Sequence, residues 1–337
     1  DILCNLRNSN DDCRLIIYFI KSKIETSKMI SDKNNEDKHF VAPYSKEVSF
    51  DELQDAPPSG KFRLSITGKL GVIVVAFWLF VAVFGQFLAP YEENDLPFPD
   101  DYSEFQKPRA GAWLGTDVDD RDILSRIMYG AGRTIGISLA GVLIAYVIGV
   151  TLGIGSSIAG SRIDQILTQF FNIMLAIPTI MFGLVVVAAV GSSIPVLIIT
   201  AGAIFSPVVF RLSRALGMEI MVMDFVEAAK VRGEGYRWII FREIWPNAAM
   251  PLISDFGLRF IYVILFVSSL SFLGLGVQPP LADWGSMVRE NLGALQYGES
   301  VIPILAPAIA IASLTVAINL IVDDVSAHAG GKLSGRL

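Results

Sequence analysis

Six long windows nearly free of charge constrain this chain more than anything else in it. They lie at roughly 70–88, 134–158, 166–190, 194–212, 253–275 and 301–322. About 20 apolar residues in a helix match the thickness of a bilayer's hydrocarbon core. Inside lipid a backbone must satisfy its own hydrogen bonds, so each window is expected to be helical. Only Gly191, Ser192 and Ser193 separate the third window from the fourth, which predicts a tight hairpin. Of the 337 residues 53% are hydrophobic, above the ~45–50% of soluble domains. The expected fold class is an all-α membrane protein with six transmembrane helices.

Lysine and arginine set the expected orientation. Lys61, Arg63 and Lys69 precede the first window and place the N-terminus in the cytoplasm. Six crossings return the C-terminus, with Lys332 and Arg336, to the same side. The segment 224–251 carries Lys230, Arg232, Arg237 and Arg242, and is also expected inside. The acidic stretch 92–122 and the loop 278–300 then face outward. Residues 1–60 are expected to form a largely flexible cytoplasmic tail, with Met29 as an alternative native start. Residues 61–132 hold the first helix and the acidic outer loop, 133–325 a core with five helices, and 326–337 a cytoplasmic tail.

The net charge of −6 comes largely from that acidic stretch, and no basic stripe interleaved with aromatics suggests nucleic acid. The only cysteines, Cys4 and Cys13, have no spacing that supports a disulfide framework or a metal site. Gln86, Gln169, Asn172 and Asn319 are polar but uncharged within the windows. Asp255 and Arg259 stand four residues apart and are expected to form a local ion pair. An ion-coupled carrier needs ionisable groups inside its spans, and these windows hold almost none. No G-x-x-x-x-G-K-[ST] occurs, and His39 and His328 lie far apart in the tails, so no catalytic group can be argued. Any process here that draws on ATP would need it from another chain. Gly141, Ala145, Gly149 and Gly153 recur every four residues, after Gly132, Gly136 and Ala140. Such spacing allows close helix approach, either within one bundle or against a second subunit.

Residues 224–251 read DFVEAAKVRGEGYRWIIFREIWPNAAMP, a charge-laced segment between two apolar windows. Asp224 is predicted as the N-cap of a short helix, with Glu227 three residues on. Gly233 and Gly235 are predicted to stop and bend it, because glycine accepts the left-handed conformation. A second short helix should run from Tyr236 to Ile244 and end at Pro246. The result would be a compact docking knob, or on the blander reading an amphipathic linker at the membrane interface.

Glu227-Ala228-Ala229, Gly233, Ile244 and Pro246 resemble the EAA loop of ABC importer permeases. Leu114 to Asp117, Arg121, Asp122, Ser125, Arg126 and Gly130 to Arg133 resemble the segment leading into the second span of peptide-importer permeases. Ser271 to Pro280, then Asp283, Trp284 and Gly285, resemble their outer-loop signature. The chain is therefore similar to the C-type permease of the dipeptide/oligopeptide (and nickel) family. Glu243, Trp245 and Asp120 depart from it, standing where relatives usually have histidine, leucine and glycine.

The resemblance implies a type I ABC importer permease fold with cytoplasmic coupling helices, multi-pass in a bacterial inner membrane. It implies a homologous second permease, two ABC ATPase subunits and an extracytoplasmic solute-binding protein as partners. It implies no enzyme activity, cofactor, metal or catalytic residue on this chain, with ATP and Mg on the ATPases. Glu227, Ala228, Ala229, Gly233, Ile244 and Pro246 are implied in ATPase docking. Gly274, Gly276, Gln278, Pro279 and Trp284 are implied in an outer gate or loop, for which a plain helix end and turn is the alternative. Uptake of di- or oligopeptides is the implied function, against nickel, another small solute, or ion-coupled transport.

Overall fold

A computed structural model describes residues 65–297 and 300–333. The expectations for Cys4, Cys13, Met29, His39, Lys61, Arg63 and Arg336, and for the side chains of His328 and Lys332, fall outside what is described. The helices are α1 (Ile66–Leu88), α2 (Ile123–Ile158), α3 (Ser161–Ala176), α4 (Thr179–Val190) and α5 (Ile194–Met221). They continue with α6 (Asp224–Val231), α7 (Tyr236–Phe272), α8 (Trp284–Glu290) and α9 (Ile302–Leu333). No strand longer than an isolated bridge occurs among the described residues. Among the described residues five helices are long and apolar enough to cross a membrane, and the number reaches 6 if α3 and α4 count as one broken span.

That break corrects the expectation of a continuous third helix. α3 and α4 meet at 88°, with Ile177 extended at φ −89° and ψ 127°. Pro178 explains it. Its ring disfavours the helical conformation of the residue before it, and it has no N–H to continue the ladder. The short connection from α4 to α5 is as expected, with Gly191 at φ +100° ending α4.

A second correction concerns Pro246. The helix that begins at Tyr236 passes through a π turn at Ile239–Ile244 and continues as Trp245–Phe272. Pro246 falls in the first turn after the wider π turn, where a missing N–H is tolerated.

The glycine ladder of α2 packs within the bundle. A methyl carbon on Gly149 would stand 2.6 Å from Val209 Cβ, and one on Gly153 would stand 2.7 Å from the Phe210 carbonyl, both on α5. Side chains there would force the two helices apart. A main core of Val142, Ala145, Leu197, Ala201, Val209 and Val263 fills the space between α2, α5 and α7. A second core joins α1, α2, α8 and α9 through Val81, Ile127, Trp284 and Leu314.

Candidate functional site

The segment 224–251 is built on the end of the main core. The residue preceding α6 is Met223, and Asp224 occupies the first helical position without a side-chain cap bond. This corrects the predicted N-cap. The Met223 N–H already bonds the Ile220 carbonyl at 3.1 Å, so the turn off α5 leaves no extended residue at position 224. Asp224 and Glu227 still suit the positive end of the helix dipole.

At the other end Gly233 takes φ +82°. Its N–H bonds the Lys230 carbonyl at 3.0 Å, and the Glu234 N–H bonds the Ala229 carbonyl at 3.1 Å. These are the two bonds of a left-handed helix cap. Gly235 sits at φ −74°, so only one of the two glycines uses the left-handed region.

α6 shows two faces. Val226 and Ala229 are wholly buried, as are Ile244 and Ala248 further along. Val226, Ile239, Ile244 and Ala248 are continuous with the core between α2, α5 and α7. Glu227, Ala228, Gly233 and Pro246 are exposed. The six residues implied in docking thus divide: Ala229 and Ile244 are buried, Ile244 within the bundle core, and the other four lie on the outside. Sequence reasoning missed the apolar side chains Val222 and Val231 uncovered beside them, next to the exposed Tyr236 and Phe241. Their signal was apolar residues out of step with the buried pair Val226 and Ala229.

The outer-loop residues form a second structure. Just past the end of α7 Gly274 takes φ +84°, with the Gly274 N–H on the Ser271 carbonyl at 3.0 Å and the Leu275 N–H on the Leu270 carbonyl at 2.9 Å. A side chain on Gly276 would collide with Ser271. Gln278 Nε2 donates to the carbonyls of Gly274 and Gly276 at 3.1 and 3.0 Å, and Pro279–Pro280 is cis. These four residues build a helix end and its turn. Trp284 is fully buried, with Nε1 donating to the Ile127 carbonyl at 3.1 Å and the ring edge-on to Trp78 at 4.8 Å.

Part of the acidic stretch is charge-compensated by Arg121 and, from α2, by Arg126 and Arg133. Asp117 Oδ2 accepts from Arg121 Nε at 2.9 Å and Arg126 Nη1 at 2.8 Å, and Arg126 Nη2 reaches Glu290 of α8 at 3.2 Å. Arg133 pairs with Glu93 and donates to the Ala282 carbonyl at 2.9 Å. Asp122 caps α2 by accepting from the Ser125 N–H at 2.8 Å. The sequence showed these residues but not their pairing across about 160 positions, since Arg126 and Glu290 are 164 apart.

Asp120 stands apart from this network. It sits at φ +61° and is fully buried, with only loose contacts to Thr116 and the Ser103 backbone for its carboxylate. Burial pushes its carboxyl above the ordinary range, against weaker pulls from Thr116, the Ser103 backbone and Arg109. Burial raises Asp283 and Glu290 as well. A carboxyl raised on folding binds its proton more tightly in the folded state. Its penalty is therefore absent below the unfolded value and grows as pH rises through the folded one. Asp120→Gly would remove both the buried charge and the left-handed strain. It is expected to stabilise the protein by about 1 kcal/mol at neutral pH, and by less near pH ~4. Thermal unfolding of the purified protein at the two pH values checks this.

Between α3, α4, α5 and α7 lies a cavity of about 380 Å³, lined among others by Met174, Ile177, Phe205, Arg259 and Tyr262. Asp255 and Arg259 pair as expected, with Nη2 and Nε at 2.9 and 3.0 Å from Oδ1. Tyr146 Oη donates to Asp255 Oδ2 at 2.7 Å.

Residues 145–328 match the family described as binding-protein-dependent transport system inner membrane component. The chain is 32% identical over 258 residues to the dipeptide transport system permease protein DppC of Alkalihalophilus pseudofirmus, spanning 76% of this chain and 83% of that protein. It is 31% identical to the di/tripeptide transport system permease protein DppC of Pseudomonas aeruginosa, over 76% and 84%. It is 32% identical to the glutathione transport system permease protein GsiD of Pectobacterium atrosepticum, over 75% and 81%. Among solved structures, an inward facing conformation of the MetNI methionine ABC transporter is similar at a TM-score of 0.49 and 16% identity, over 59% of this chain and 94% of that one. With the family match running from α2 into α9, the chain belongs to the binding-protein-dependent transport system inner membrane components.

Proposed function

We propose that this chain is one permease subunit of an ATP-driven importer of di- or oligopeptides. It works with a homologous permease, two ABC ATPases that carry ATP and Mg, and an extracytoplasmic solute-binding protein. Both termini and the segment 224–251 face the cytoplasm, and the acidic stretch and the turn at Gly274–Pro279 face outward. The observation that carries this reading is the two-faced segment around α6, whose inner face belongs to the bundle core while Glu227, Ala228 and Gly233 are uncovered. A surface so attached can pass a displacement to α5 and α7 as a rigid body.

The ATPase dimer closes on ATP and draws the segment with it. The bundle then shifts to its outward-open state, with the outer turn at Gly274, Gly276, Gln278 and Pro279 at its mouth. This is a population shift driven by a ligand bound elsewhere. The names of the relatives support a peptide as cargo.

Purification of the chain from its native membrane in mild detergent tests the reading. A second permease and ATPases should co-elute, with ATP hydrolysis raised by a peptide-loaded binding protein and with peptide uptake after reconstitution. A chain that elutes alone and inert, under conditions that keep other complexes intact, would sink it.

A further inference from the structure

The third apolar window is the one that breaks, and the break faces a cavity. At the junction of α3 and α4 both Ile177 and Pro178 leave the helical ladder and are exposed. Irregular backbone at membrane depth persists only where protein covers it or where it lines a water-filled space. Gln165, Gln169 and Asn172, on α3 ahead of the break, are also exposed, and such groups are costly against lipid. Both observations place a wet or covered space beside this junction. In secondary transporters, discontinuous helices within the membrane are where cargo is held, and the same physical need for covered or wetted backbone applies here.

The cavity of about 380 Å³ lies at that junction, and its walls are mostly apolar, with Thr179, Tyr262 and Ser269 as neutral polar groups. Arg259 is the one charged side chain among the described residues that line it. A guanidinium carries five donors arranged in two forks. The Nε and Nη2 edge of Arg259 is engaged by Asp255, which Tyr146 holds from the other side. Nη1 makes no hydrogen bond among the described residues. A cationic fork on an apolar wall suits a ligand with one carboxylate and variable apolar groups. The walls accept side chains without choosing among them, while the polar group fixes orientation.

We propose that Arg259 engages the free C-terminal carboxylate of a peptide in transit, with Asp255 and Tyr146 as positioning residues; this rests on the peptide-importer reading above. Asp255 has a second consequence. By neutralising Arg259 in the empty cavity, it keeps the hold on a passing carboxylate weak enough for release. A lone guanidinium in so apolar a site would retain it.

The test uses the reconstituted complex with its binding protein, supplied with one dipeptide and with the same dipeptide as its C-terminal amide, each saturating the binding protein. Wild type is expected to move the free acid about tenfold faster than the amide. Arg259→Gln should erase that preference by slowing the acid and leave the amide within about twofold. The double variant Asp255→Asn/Arg259→Gln removes both charges and so strands no carboxylate in the bundle. It should show the same selective loss, and it carries the test if the single variant fails to assemble. A wild type indifferent to the amide, or variants that slow both ligands equally or neither, overturn the proposal. Arg259 would then serve the bundle itself or pair with an acidic group of the second permease. A wild-type complex that imports another solute but neither peptide overturns the peptide reading instead.

Discussion

Replacing Ala229 by aspartate is expected to abolish ATP-driven uptake while the protein remains in the membrane at its normal level. Ala229 is fully buried on the face of α6 that also buries Val226. Its carbonyl accepts the Glu234 N–H that closes the helix. A carboxylate at this position would have no partner, at a cost of several kcal/mol. A helix of 8 residues has no stability of its own to offset that. α6 would leave the core, and the outer face bearing Glu227 and Ala228 would lose its position. The long helices make few demands on this contact, so insertion should survive.

Gly233 supplies the contrast. Its φ of +82° disfavours any side chain, yet nothing lies within 4 Å of where a Cβ would stand. Gly233→Ala should therefore cost only about 1 kcal/mol, and uptake should fall without vanishing. Uptake and ATPase co-purification, both normalised to the protein in the membrane, check the pair. Normal uptake by Ala229→Asp would remove the α6 segment from the coupling path.

The second large effect is expected at Trp284. Truncation to alanine should destabilise the protein by about 3–5 kcal/mol. The indole is fully buried, bonds the Ile127 carbonyl at 3.1 Å, and meets Trp78 edge-on, so it joins α8 to α2 and α1 at once. The Trp284 backbone N–H also donates to Thr134 Oγ1 at 3.1 Å. Trp284→Phe keeps most of the apolar contact and loses the indole hydrogen bond, so its cost should be about 1 kcal/mol. Unfolding of both variants in detergent, followed by heat, measures the difference. An alanine variant within about 1 kcal/mol of wild type would show that α8 is held by its other contacts.

Local chemistry made part of this protein readable in advance. The stop at Gly233 was legible because only glycine takes φ +82° readily, and the Asp255–Arg259 pair because residues four apart share a helix face. Pro178 was visible too, but it lies inside an apolar window, and hydropathy does not register a break in direction. The π turn had no such signal. Pro246 reads as a stop in any short window, and only the packing of Ile239 and Ile244 into the core carries the helix past it. Asp120 looked like one more acid in an acidic stretch. Its backbone at φ +61° shows why a glycine would fit there.

The sequence by itself determined the class of the molecule. Apolar windows, loops rich in arginine, and the lack of any ATP or catalytic motif follow from runs of neighbouring residues, and hydropathy is a local property. The tertiary structure alone decided which face of each element is used. Ala229 turned out to be buried while Ala228 beside it is exposed, and Trp284 is an internal anchor. Arg126 bridges Asp117 and Glu290, and Arg259 lines a cavity at a broken helix. Each of these depends on groups brought together from distant parts of the chain. Close packing makes such contacts, and no local periodicity encodes them.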